Sequence, residues 1–539
     1  MYTLQEIPGK GKGLVATRRI AKGTRILSEE PLIRVPTGDH NRQAFHELIR
    51  KKVDALTPDQ QQSFLSLHNM HSDDASLQYI GIVQTNLSAF GDDTSEGGIF
   101  LEASRINHAC DNNAHRSWNE NIKRHTIHAS RDIEEGHEIT IYYLGTLHNR
   151  QTRQEALRTS FMFTCSCRLC SLPRHQSQES DRRLDEISRL HGSMVENGIV
   201  GYASAPERTL RYADRIVCLY NEHRPDDGGL PRAFLGAAQI AIIHGDLARA
   251  RIFLERARLG WTALEGDDSH PQFSLLCQDP SKTKSYGMSM KWKTAVDEIP
   301  KELAPEEFED WLWRRPKPRQ LGQPVKFREQ AVFPSFMNLP DDTNTDPIFY
   351  ESRDGLTYRP QQHWCFLAEI VSFDTFACLR MKVKDVDGKT VQLIFYTEGR
   401  GSEIAPSRIR NGYTIAILCA QRHAFSILDT GIRHEEPVKL KVFPTSLNKL
   451  LALSDRVQTF STETNGNRVC HGCGTQAPLR NRCAKCSLFW YCNTACQTAG
   501  WHEKGHKADC KLLRDADLKG LLHLTWEKFE GHVAFPLRT

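Results

Sequence analysis

Between residues 470 and 510, thiols and one imidazole come in four close pairs: Cys470 with Cys473, Cys483 with Cys486, Cys492 with Cys496, and His506 with Cys510. A gap of two or three residues lets a single turn aim two side chains at one ion, and zinc takes four such ligands in a tetrahedron. Four pairs make two zinc sites, both closed, with no position left for a catalytic water. His471 lies inside the turn of the first pair, and His502 breaks the three-residue gap to Cys510, so both are expected to be spectators. Cys165, Cys167 and Cys170 form a second group whose Cys-x-Cys-x-x-Cys spacing is uncommon without metal.

Seven of the sixteen cysteines fall in the first cluster and three in the second. Such clustering in a long chain points to metal ligands in a reducing compartment rather than to disulfides. The opening MYTLQEIPGKGKG lacks the apolar core of a secretory signal, and no stretch approaches the roughly 18 apolar residues of a membrane span. The expectation is a nuclear or cytoplasmic protein with no membrane association. Hydrophobic residues make up 39% and charged residues 25% of the 539 residues, enough to build several globular cores. The net charge of +4 is the difference between 70 basic and 66 acidic residues, interspersed along the chain. That argues against a dedicated nucleic-acid binder, which concentrates its basic residues on one face.

The elements that must position these residues are legible in the pattern. LVATRRIAKGTRIL reads as strand, Lys-Gly turn and strand, and ASRDIEEGHEIT repeats the arrangement, with Ala16, Arg18, Ile20, Gly23 and Ile26 recurring as Ala129, Arg131, Ile133, Gly136 and Ile139. Residues 41 to 82 and 147 to 160 read as helical. From 207 to 264, small residues at helical spacing, Ala233, Ala237 and Ala241 and then Ala250 and Ala257, suit closely packed helices. A tetratricopeptide-like unit and an ordinary helical domain both satisfy that pattern. In PEEFEDWLWRRP, Pro305 and Pro316 bracket a short helix carrying Phe308, Trp311 and Leu312. Residues 363 to 443 read as strands. Leu379, Met381 and Val383 alternate against Val391, Leu393 and Phe395 across an Asp387-Gly388 turn, and Trp364, Phe366 and Phe395 are expected in the core of a small barrel.

The four pairs at 470–510, with Tyr491 before Cys492, Gln497 after Cys496 and Trp501 ahead of the last pair, resemble the MYND zinc finger. The resemblance implies that Cys470, Cys473, Cys492 and Cys496 share one zinc and that Cys483, Cys486, His506 and Cys510 share the other. It also implies a finger that docks a peptide of a protein partner.

KGKGLVATRRIAKG, SRINHAC, EITIYYLG and FTCSCRLC, in that order, resemble the SET domain of protein lysine methyltransferases. The resemblance implies S-adenosyl-L-methionine as cofactor, contacted by Lys10 and Lys12, held by Asn107 and His108, and flanked at its adenine by Phe163. Tyr143 would be the catalytic tyrosine at the end of the EITIYY strand, with Tyr142 on the opposite face, and Phe161 would line the lysine channel. Cys110 would join Cys165, Cys167 and Cys170 at a third, post-SET zinc. Methyl transfer needs a neutral amine, yet a lysine titrates near 10.4. An apolar channel lowers that value, while Tyr143 orients amine and methyl without being a strong base. Three features depart from the usual family pattern: Phe161 stands where animal SET-MYND enzymes often have tyrosine, Asn112-Asn113 replaces Pro-Asn, and the finger lies at the C-terminus.

The expected architecture is a multidomain α+β chain. It comprises a β-rich SET fold with its post-SET site at 1–172, a helical region at 181–265, a Pro-rich charged linker with a short aromatic helix at 266–345, a β-barrel-like domain at 346–458, the MYND finger at 470–510 and a tail at 511–539. The expected function is protein lysine methylation, on a histone or non-histone lysine. The alternative, kept open by Phe161 and Asn112, is a non-catalytic zinc-binding adaptor or transcription-regulatory scaffold that retains a SET fold.

Overall fold

Ile20 and Ile133 exchange both backbone hydrogen bonds at 2.8 Å, so the two look-alike segments are each other's partners rather than two separate hairpins. In the computed structural model, strand β1 (Tyr2–Ile7) pairs with β2 (Gly11–Ala16), while β3 (Arg25–Glu29) leaves β2 for another sheet. Alternating β-formers around a Gly turn suit a hairpin locally, but Ala16 N–H is taken by His137 O and Gly23 N–H by Ala129 O. The described residues are 1–539 except 38–41, 72–76, 92–93, 146–147, 225, 316–322, 344, 353–356, 427 and 538–539. Residues 41 and 147, where two helical stretches were expected to start, and Pro316 lie outside them.

The chain divides into two compact units, Met1–Glu302 and Leu303–Thr539. In the first, β4 (Ile33–Pro36) is followed by helices α1 (Arg42–Asp54), α2 (Pro58–Leu65) and α3 (Gln78–Asn86), and then by strands β5 (Ser88–Ala89) and β6 (Glu96–Ile99). Thr57 and Gln60 form a reciprocal capping box at the start of α2. Ile49, Val53, Phe64 and Val83 seal these helices onto Ile33, Val35 and Ile99. Strands β7 (Asn107–His108), β8 (Ala114–Asn119), β9 (Arg124–Ala129) and β10 (Thr140–Ile141) complete the β-rich part. The sheets run β3-β9-β8, β4-β6-β5 and a parallel β10-β7 pair. Leu14, Ile26, Phe100, Ile127 and Ile139 form the core between them, each buried side chain contributing about 1.5–3 kcal/mol.

Helix α4 (Arg150–Phe161) is capped by Asn149, whose side chain accepts from Thr152 N–H. Then come α5 (Arg174–Ser204), α6 (Pro206–His223), α7 (Gly229–Ile243), α8 (Leu247–Glu265) and α9 (Gln272–Gln278). Each of α5 to α8 packs on the next. Ala233, Ala237 and Ala241 of α7 and Ala250, Phe253 and Ala257 of α8 are buried, and a Cβ at Gly260 would lie 2.8 Å from Pro231. The end of α8 is tied to the β-rich part, since Asp268 accepts from Arg25 and from Asn119.

In the second unit, α10 (Pro305–Leu312) carries Phe308 and Trp311 with their rings 5.3 Å apart, and Leu312 and Trp313 are buried. Strands β11 (Tyr350–Ser352) and β12 (Tyr358–Pro360) precede β13 (Cys365–Asp374), β14 (Arg380–Asp385), β15 (Thr390–Phe395), β16 (Thr414–Leu418), β17 (Ile432–His434) and β18 (Leu440–Phe443). The last six form one sheet in the order β17-β15-β14-β13-β16-β18, whose edge strands are not bonded to each other. Alternation sends Phe366, Ala368, Met381, Val383, Leu393 and Phe395 to one face, with Trp364, and Cys365, Leu367, Ala416 and Leu418 to the other. Asp385 accepts from Asp387 and Lys389 N–H, closing the Asp387-Gly388 turn. The second face is covered by α11 (Leu447–Ser461) and shares its core with the finger and with residues after it, notably Leu521 and fully buried Trp526. The stretch expected to be a tail is therefore part of that core.

Candidate functional site

The tip of the β1–β2 hairpin turns through Gly9 and Gly11, at φ +73° and +71°, values that favour glycine. Lys10, between them, reaches Glu138 with Nζ–Oε2 2.6 Å. Asn107 donates through Nδ2 to Glu138 Oε1 at 2.9 Å and to the Lys12 carbonyl at 3.2 Å. A Cβ at Gly13 would lie 2.7 Å from Asn107 Nδ2, so only glycine lets this strand approach. Lys10, Lys12 and Asn107 are thus one network organised by Glu138, a residue that sequence reasoning missed.

Strand β10 was expected to run to Tyr143 and ends instead at Ile141. The reason is local: Tyr143 N–H is taken by His108 Nδ1 at 3.0 Å rather than by a neighbouring strand. Strict alternation is lost with it, and the rings of Tyr142 and Tyr143 lie 5.4 and 5.2 Å from that of His108. Tyr143 Oη donates to Ile106 O at 2.7 Å, and its ring is 5.1 Å from Phe161, which ends α4. Phe163 comes within 6.0 Å of His108. Four residues singled out separately, His108, Tyr143, Phe161 and Phe163, therefore converge.

Burial sets the electrostatics. It pushes Tyr143 up to about 12 and Tyr142 above its ordinary value. Burial also holds His108 down at about 4. Arg116, depressed by burial, donates to the Tyr143 carbonyl at 3.2 Å and places a cation beside the site.

The Sγ atoms of Cys110, Cys165, Cys167 and Cys170 all lie within 4.8 Å of one another, with Cys110–Cys170 at 3.5 Å and Cys110–Cys165 at 3.9 Å. Zinc–sulfur bonds of about 2.3 Å put the corners of a tetrahedron about 3.8 Å apart, so this donor set fits zinc. The Cys110–Asn112 segment is also gripped from outside. Arg168 Nε meets Asp111 at 2.9 Å, Arg131 donates to the Asp111 carbonyl, and Arg224 donates to Cys110 O and Asn112 Oδ1, both at 2.6 Å.

In the finger, β19 (Arg468–Val469) and β20 (Gln476–Ala477) flank the first cysteine pair, and β21 (Asn481–Arg482) and β22 (Trp490–Tyr491) flank the second. Cys496 lies on α12 (Thr494–His502), capped by Asn493, while His506 and Cys510 stand four apart on one face of α13 (His506–Leu512). Donor atoms gather as Cys470, Cys473, Cys492, Cys496 and as Cys483, Cys486, His506, Cys510, the crossed pairing that the resemblance implied. Cys473–Cys492 is 3.6 Å, Cys483–Cys510 3.8 Å and Cys486 to His506 Nε2 3.7 Å, again distances that fit zinc. Neither His471 nor His502 joins either group, and buried His471 packs its ring 4.6 Å from both Phe460 and Phe489.

The SET domain family model matches residues 11–144 and the MYND finger model residues 470–510. The chain is 32% identical over 276 residues to the histone-lysine N-methyltransferase set5 of Schizosaccharomyces pombe, an alignment covering 51% of this chain and 82% of that protein. It is 28% identical over 176 residues to the N-lysine methyltransferase SMYD2 of Gallus gallus, covering 32% of this chain and 36% of the relative. Against the protein-lysine N-trimethyltransferase SMYD5 of the same species it is 35% identical over 98 residues, 18% and 23% of the two chains.

Proposed function

Because the chain belongs to the SET-domain family of protein-lysine methyltransferases, we propose that it methylates a lysine side chain of a protein, histone or non-histone, using S-adenosyl-L-methionine. The observation that carries this reading is the convergence of Tyr143, His108, Phe161 and Phe163 beside the Lys10–Asn107–Glu138 network. The cofactor supplies an electrophilic methyl group. Asn107 and His108 hold its adenosyl part, with Lys10 and Lys12 at the hairpin loop and Phe163 beside the adenine.

Tyr143 acts as a neutral hydroxyl, because its proton is held to about 12. With that proton given to Ile106 O, the oxygen lone pairs remain to orient the incoming amine. Phe161 lines the channel, and its apolar ring favours the neutral amine that the transfer needs. Three zinc ions are proposed, one at Cys110, Cys165, Cys167 and Cys170 and two in the finger, where closed coordination leaves a structural role. The finger would then select a peptide of a protein partner.

The test is transfer of labelled methyl from the cofactor to a protein or peptide library, run beside Tyr143→Phe. Calorimetry detecting no cofactor binding, together with no transfer to any substrate, would leave the adaptor reading in its place.

A further inference from the structure

A cleft of about 540 Å³ opens where the Cys165–Cys170 segment meets α5 and α6, and none of the residues assigned above to cofactor or lysine lines it. We propose that this cleft binds a phosphate-bearing ligand through Arg183, Arg224, Lys22 and the hydroxyl of Ser130.

The first ground is charge. Five permanent cations line the cleft, Lys22, Arg131, Arg168, Arg183 and Arg224, against three carboxylates, Asp111, Glu179 and Asp226. The excess is two positive charges. A phosphomonoester brings about −1.5 to −2 and neutralises it, whereas a carboxylate cancels only half. Glu222 and Asp227, outside the lining, ion-pair with Arg183 at 3.5 Å and with Arg224 at 3.7 Å, and Glu179 meets Arg183 at 3.1 Å, so the excess is partly offset from behind without filling the cleft. Burial holds His223 down at about 4, and Arg224 and Arg183 beside it act in the same direction.

The second ground is independent of charge. Ser130 is 1% exposed and lines the cleft, yet its Oγ has no hydrogen-bond partner among the described residues. Buried polar atoms are rarely left unpaired, because desolvating them without a new partner is costly. A ligand oxygen in the cleft supplies the missing partner. Guanidinium groups also match the oxygens of phosphate in a way that a point charge does not. The space suits either a phosphorylated side chain of a protein or a free phosphomonoester, and the chemistry recognised is the same.

The experiment is calorimetry on the zinc-loaded full chain with three probes: inorganic phosphate, a phosphoserine peptide, and the same peptide unphosphorylated. Saturable binding of phosphate is expected, weakened about tenfold in Arg183→Ala and at least about threefold in Ser130→Ala, with melting curves that match the wild type. Preference for the phosphoserine peptide over both other probes identifies a protein source. Equal affinity for phosphate and phosphopeptide identifies a small molecule. Absence of saturable phosphate binding, or an affinity unchanged in both variants, overturns the proposal, and it does so without touching the methyltransferase reading.

Discussion

Nη2 of Arg224 lies 2.6 Å from Oδ1 of Asn112, although the two residues are 112 positions apart. Asn112 in turn donates to the Ala114 carbonyl at 2.9 Å, so its amide is used on both sides. The departure from the usual Pro-Asn thus has a structural use: an asparagine there can accept the arginine that also holds the Cys110 carbonyl, which a proline ring cannot.

Arg224→Ala is expected to destabilise the first unit by about 3 kcal/mol, because it leaves a buried carbonyl and a buried amide unpaired. A double-mutant cycle with Asn112→Ala, read by denaturant unfolding, should give a coupling of about 1–2 kcal/mol. Additive effects would mean that the contact carries no energy.

The metal content of the purified chain, measured by inductively coupled plasma mass spectrometry, should be three zinc ions. Cys167→Ser should lose one zinc and weaken cofactor binding, whereas Cys486→Ser should lose one zinc and leave transfer to a free peptide substrate intact. Two zinc ions in the unaltered chain would remove the site at Cys110.

Acid should destabilise the first unit in a defined window. Burial, with Arg116 beside it, pushes His125 down to about 3, and burial, with Arg25 beside it, pushes His128 down to about 4. An unfolded histidine binds its proton near 6.5. Above that pH both states are neutral and there is no penalty; below it the unfolded chain takes up the proton first, so stability falls until about pH 4 for His128 and about pH 3 for His125 and then levels. At pH 5 each histidine should cost roughly 2 kcal/mol relative to pH 7.5. In His125→Phe, which preserves the stack on Phe100, the urea midpoint should depend less on pH over this range.

The finger was legible because each ligand pair is local: two or three residues of spacing already determine that two side chains share one turn, and α13 brings His506 and Cys510 onto one face. The alternation at 379–395 was equally local, and Met381 faces Leu393 as expected. What escaped was long-range. LVATRRIAKGTRIL satisfies every local rule for a hairpin, and only the competing bonds from Ala129, Ile133 and His137 send its strands elsewhere. Glu138 and Arg224 carry no local mark, since their partners Lys10 and Asn112 stand 128 and 112 positions away. Tyr143 was expected at the end of its strand, but the His108 nitrogen that ends that strand earlier was invisible to alternation. The residues after 511 looked like a tail because nothing in their own pattern says that Trp526 fills another element's core.

The pH dependence of methyl transfer should follow the substrate lysine and not the enzyme's tyrosine. With Tyr143 held near 12, the rate should rise with pH as the amine loses its proton, and no downturn from tyrosine ionisation should appear below about pH 11. A bell with a falling limb near pH 9 or 10, absent in Tyr143→Phe, would assign an ordinary phenol there instead.

The most direct measurement is tritium transfer from labelled S-adenosyl-L-methionine to protein lysine by the full chain and by Tyr143→Phe. The unaltered chain should label lysine, and the variant should do so roughly 100-fold more slowly while still binding the cofactor, the size expected when a reacting group loses its orientation. Transfer that is unchanged in Tyr143→Phe would contradict the assignment of Tyr143 as the orienting group at the centre of this site.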